Sequence, residues 1–83
     1  MSVQREDVIM MLRSYLLDKV LAPDTVLDDD TPFAELGIDS VTVIELSLKI
    51  EDRFGIEIPA DQLLQENLRS MAALADCAVR QTV

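Results

Sequence analysis

The 83-residue chain has no histidine, no tryptophan, one tyrosine and a single cysteine, and each shortage narrows what it can do. Without histidine the usual zinc ligand sets cannot form, and no serine has its conventional general base. Metal catalysis and triad-type hydrolysis are therefore not expected. One cysteine, Cys77, rules out an intramolecular disulfide. With no histidine or adjacent cationic pair to activate it, Cys77 reads as a core or boundary residue. Two glycines, three prolines and a hydrophobic content of 49% describe a folded helical domain and not a disordered tail. Long apolar runs are missing too: the stretch that opens at Val8 is broken at Arg13, so no membrane span or signal-peptide core is expected. The expected location is cytoplasmic, with no membrane partner. A chain of this length reads as one domain, 1–83, whose small core cannot also enclose a roomy active site. Function is expected on the surface.

What the chain has in excess is acid, and the acid is localised. Residues 1–23 and 62–83 each balance to zero, so the whole formal charge of −9 lies between Asp24 and Asp61, where Lys49 and Arg53 are the only bases. Such a field repels nucleic acid and anionic lipid and steers basic protein surfaces toward the middle of the chain. The acids from Asp28 do not form an EF-hand loop, which needs glycine at the sixth position, where Phe33 stands.

Hydrophobic spacing organises the rest. Over residues 4–21, Val8, Met11, Leu12 and Tyr15 share a stripe widened by Ile9, Leu16 and Val20, which predicts a first helix capped by Ser2 and closed by Pro23. Residues 22–38 lack periodicity and read as a long loop, pinned by Val26, Leu27, Phe33, Leu36 and Ile38. A second helix is predicted from Ser40 to about Arg53, with Val43, Leu46, Ile50 and Phe54 on its core face and Gly55 just past its end. Pro59 suits the first turn of a short third helix running to about Leu64, with Asn67 as a stop. A last helix is predicted from the cap Ser70, burying Met71, Leu74, Ala75, Ala78 and Val79. The expected fold is all-α: a four-helix bundle of three main helices and one short helix, with a long loop between the first and second.

On the second helix, Val41, Ile44 and Leu48 fall off the core face, together with Glu45, Glu51 and Asp52. Ile44 and Leu48 either pack beneath the loop or third helix, or form a docking strip in which apolar contacts give affinity and acids give orientation. At the head of that helix stands Ser40. Lys49, nine residues on and half a turn around, cannot reach it as a base. Unpaired N–H groups and the helix dipole suit an anion at this position, and with no base at hand Ser40 makes a poor hydrolytic nucleophile.

The word Leu36-Gly37-Ile38-Asp39-Ser40-Val41 and the helix after it resemble the modification site of the acyl carrier proteins. Leu-Gly-x-Asp-Ser should arise by chance in roughly a few of every thousand chains this long, which sets it above a mere helix cap. The similarity extends over nearly the whole chain, including the Ile58-Pro59 turn and the Ala-rich last helix. The resemblance implies 4′-phosphopantetheine, taken from coenzyme A and esterified to Ser40, with Asp39 assisting the modification by helping to coordinate the transferase's metal. It implies a monomeric carrier that is not itself an enzyme, holding acyl groups as thioesters for fatty-acid-like, polyketide or other secondary-metabolite synthesis. Its implied partners are a phosphopantetheinyl transferase, acyl-activating or acyltransferase enzymes, and a ketosynthase or tailoring enzymes, met through the second helix. Lys49 and Arg53 make that helix less uniformly acidic than in many fatty-acid carriers, which points toward a specialised pathway. Two alternatives stand beside this: an aminoacyl or peptidyl carrier of a nonribosomal peptide pathway, and an acidic helical interaction module that is never modified.

Overall fold

Three α-helices carry the structure: α1 spans Arg5–Tyr15, α2 Ser40–Phe54 and α3 Met71–Arg80. The computed structural model describes residues 3–22, 24 and 26–81, and among these there is no strand. Ser2 and Pro23, expected to bound the first helix, lie outside the described residues. The helix opens instead behind Gln4, whose backbone is extended and whose carbonyl accepts from the N–H groups of Asp7 and Val8. Glu6 and Asp7 occupy the first turn, where the dipole favours acid. At its far end α1 widens into a π-helical turn, Leu16–Val20, closed by the Leu21 N–H on the Leu16 carbonyl at 2.6 Å. Helical backbone thus covers most of the span predicted from the apolar stripe.

The core forms where the stripes meet. Val8 and Leu12 from α1, Leu16 from the π-helical turn, Leu46 and Ile50 from α2, and Leu74, Ala75, Cys77 and Ala78 from α3 are fully enclosed. Alanines on α3 let its axis approach α1, which is its main helical neighbour. Phe54 is only half-buried at the end of its stripe, and Ser47, which has no place on an apolar stripe, is buried among the core residues. The Ser47 hydroxyl stays satisfied by donating to the Ile44 carbonyl at 2.6 Å. Gly55 ends α2 in the left-handed region at φ 65°, a conformation a side chain would strain.

Two irregular segments close the bundle. Between α1 and α2 the chain makes one 3-10 turn, Phe33–Leu36, and is stitched to the far side of the fold. The Phe33 N–H donates to the Arg69 carbonyl (2.7 Å), the Ala72 N–H donates to the Asp29 carbonyl (3.0 Å), and the Arg13 guanidinium pairs with the Asp29 carboxylate. Phe33, Leu27 and Ile38 are buried, whereas Val26 lies 90% exposed and does not pin the loop as its hydrophobicity suggested.

In the second segment, the short helix expected from Pro59 to Leu64 is reduced to a three-residue 3-10 turn, Ala60–Gln62. None of its residues is buried, so no apolar contact offsets the cost of nucleating a helix there. The Gln62 carbonyl is committed elsewhere, accepting from the Asn67 side-chain amide at 2.7 Å. Leu63 then leaves helical geometry at φ −81°, ψ 55°.

Candidate functional site

Leu36 to Val41 forms a tight approach to α2. Gly37 caps the 3-10 turn at φ 74° in the left-handed region, and a side chain there would meet open space but a strained backbone. Ile38 next drops into the core, its N–H on the Phe33 carbonyl at 3.0 Å. That anchor fixes where α2 begins. Asp39 is the N-cap in extended conformation, and its Oδ1 accepts the Thr42 N–H at 2.9 Å. The hydrogen bonds from Thr42, the backbone one first, hold the Asp39 carboxyl below its ordinary value, so it stays ionised at neutral pH.

Ser40 follows as the first residue of α2, with its side chain exposed. Its own N–H and that of Val41 have no protein partner among the described residues, as expected at a helix start. No other described serine is presented this way. Ser47 and Ser70 are buried, Ser70 spending its hydroxyl as the cap of α3 through Ala73, and Ser14 lies within α1. Nor is there a base for Ser40. Lys49 lies over the Tyr15 ring, its Nζ 4.7 Å from the centroid, and Lys19 sits on the π-helical turn beside Asp18.

One wall of Ser40's surroundings was not legible in the sequence. A groove of about 590 Å³ opens beside it, between the 32–38 segment, α2 and residues 63–69. Phe33, Ile38, Val43, Ile44, Leu63 and Leu68 make it apolar, with Gln65 and Arg69 as polar lining. It exists because the Phe33–Arg69 backbone bond holds two loops together, a pairing with no local sequence signal.

Along α2, Val41, Ile44 and Leu48 are exposed at 63%, 41% and 57%, with Glu45 and Asp52 exposed beside them. Leu48 therefore stands in solvent, and Ile44 gives one side to the groove. Glu51 is put to a different use: its Oε2 accepts the Ile58 N–H at 2.8 Å and braces the link after α2. Lys49 and Arg53 line a groove with Met11 and Tyr15 of α1, and Glu45, Leu48 and Asp52 line the same groove. Cys77 is buried, and burial pushes its thiol pKa up, away from reactive thiolate character. Among the described residues no cluster of His, Cys, Asp or Glu could hold a metal ion, and no helix is long and apolar enough to cross a membrane.

Comparison with known proteins agrees with this geometry. The family model for the phosphopantetheine attachment site matches residues 12–77. An acyl carrier protein from Campylobacter hominis is 39% identical over 54 residues, covering 64% of this chain and 68% of the relative. One from Sulfurovum sp. is 45% identical over 42 residues, covering 51% of this chain and 56% of the relative, so the match spans little more than half of that protein. An aminoacyl carrier protein from Bradyrhizobium diazoefficiens is 27% identical over 74 residues, covering 89% and 81%. The chain belongs to the acyl carrier protein family of phosphopantetheine-binding proteins. Its prosthetic group is a covalently attached 4′-phosphopantetheine, and proteins of this kind are carriers and not catalysts. The residues present fit that group: an exposed hydroxyl at a helix start, two free N–H groups and an adjoining groove with a cation in its lining.

Proposed function

We propose that Ser40 is the attachment residue and that residues 1–83 form a single, monomeric acyl-carrier domain. The observation that carries this reading is the exposure of Ser40 at the first position of α2, behind the Gly37 turn and beside the apolar groove. During modification the Ser40 oxygen forms the bond to phosphorus, its proton passes to the transferase, and the nucleotide part of coenzyme A leaves. Asp39 holds α2's first turn through Oδ1, which leaves Oδ2 for a metal ion brought by the transferase and its coenzyme A. The arm, once attached, supplies a thiol that carries acyl groups as thioesters.

The chain itself supplies delivery. Val41, Ile44 and Leu48 offer apolar contact, and Glu45 and Asp52 steer basic partner surfaces, with Glu51 supporting the strip from behind. Lys49 and Arg53 share a groove with Glu45, Leu48 and Asp52 and offset part of the acid on that side of the strip. The turn at Ala60–Gln62 serves as the bundle's short fourth element. Partners of this strip are the phosphopantetheinyl transferase, acyl-activating or acyltransferase enzymes, and ketosynthases or tailoring enzymes of fatty-acid-like, polyketide or other secondary metabolism, all in the cytoplasm. A second reading, aminoacyl or peptidyl carriage, is supported by the 89% of this chain that the Bradyrhizobium relative covers.

Incubation with coenzyme A and a broad-specificity phosphopantetheinyl transferase, followed by intact mass, tests the assignment. The expected result is one arm on the native chain and none on S40A. No gain on either chain would favour the unmodified interaction module. Loading of the holo protein by panels of acyl-activating and aminoacyl-activating enzymes then separates the two carrier readings.

A further inference from the structure

Seven cations serve this chain, and most are spoken for. Arg5 pairs with Asp76, Arg13 with Asp29, Lys19 with Asp18 and Arg80 with Asn67, while Lys49 lies on Tyr15. Arg53 and Arg69 remain, neither side chain with an ion-pair or hydrogen-bond partner among the described residues; Arg53 lines the groove with Met11 and Tyr15, away from Ser40, which leaves Arg69. It lines the same groove as Ser40, in a domain whose formal charge is −9. Its backbone is fixed there, because its carbonyl takes the Phe33 N–H at 2.7 Å. An unpaired guanidinium held at one groove with an attachment hydroxyl is complementary to an oxyanion bonded to that hydroxyl.

We propose that Arg69 is the counter-ion of the arm's phosphodiester and that it draws the 4′-phosphopantetheine arm into the groove beside Ser40. The inference rests on Ser40 being the attachment residue. The arm's chemistry matches the lining in kind: an anion for Arg69, a geminal dimethyl group for Ile44 and Leu68, and amides for Gln65. Arg69 thereby sets how much of the arm's time is spent against the protein and how much in solvent. The charge is screened by salt, so docking weakens as ionic strength rises.

Holo protein labelled with nitrogen-15 and carbon-13, verified by intact mass, gives the test by nuclear magnetic resonance. The Arg69 Nε–H resonance is expected to shift between apo and holo forms, and the arm's methyl groups to show Overhauser contacts with Ile44 or Leu68. R69Q, with unchanged thermal melting, is expected to lose those contacts, R69K to keep part of them, and R80Q, altered outside the groove, to keep them all. No mass gain overturns the Ser40 reading and this inference with it. A mass gain with a silent Arg69 resonance, or with arm contacts unaltered in R69Q, overturns the inference alone. A response seen only when a carboxylate-bearing acyl group is loaded also overturns it, giving Arg69 to the cargo instead.

Discussion

The Asp39 carboxylate accepts the Thr42 backbone N–H at 2.9 Å, and this bond, with the Ile38 anchor before it, sets the starting position of the helix that presents Ser40. A residue read from sequence as an aid to modification is thus also the mechanical stop of α2. The two roles separate by substitution. D39N keeps an acceptor for Thr42 and is expected to retain most of the helix content while losing modification rate. D39A is expected to lower the melting temperature as well. Circular dichroism melts paired with transferase kinetics check both.

The same bond makes the cap sensitive to pH. Hydrogen bonding depresses the folded pKa of Asp39, so its stabilising contribution is complete above the unfolded value, about 3.9, and is lost as pH falls through the lower folded value. Native chain is expected to exceed D39N in stability at pH 7, and the gap to close below about pH 4. Denaturant melts of the two proteins across that range measure it.

Glu51 and Asp52 are neighbours in sequence with different work. Removing the Glu51 acceptor leaves the part-buried Ile58 N–H unsatisfied, so E51A is expected to cost about 1–3 kcal/mol of stability. D52A, on an exposed acid, is expected to stay within about 0.5 kcal/mol of native while slowing partner association, more so at low salt. Urea unfolding and stopped-flow binding to the transferase distinguish them.

How much of this was legible beforehand follows from which forces are local. The apolar stripes of α1, α2 and α3, the cap Ser70 and the stop at Gly55 depend on near neighbours and are found where spacing and residue type put them, except at the stripe ends, where Val20 is exposed and Phe54 only half-buried. The short third helix fails because its stability would need burial, and none of residues Ala60–Gln62 is buried. Glu51's use as a brace, Arg13's pairing with Asp29 and the groove beside Ser40 all join residues distant in sequence. Position Ser40 was readable as a word; its surroundings required the fold.

Leu12 and Leu48 offer the clearest contrast between holding the fold and using it. Leu12 is fully enclosed, and L12A is expected to destabilise by about 2–5 kcal/mol. Leu48 is 57% exposed, so L48A is expected to leave melting nearly unchanged while weakening transferase affinity by about tenfold. Calorimetric melts and binding titrations of both variants check the pair.

Tandem mass spectrometry of the holo protein shows which serine of this chain carries the arm. Fragmentation is expected to localise a single phosphopantetheine to Ser40, with Ser14, Ser47 and Ser70 unmodified. An arm found on any other residue, or no arm at all after incubation with coenzyme A and an active transferase, would contradict the account.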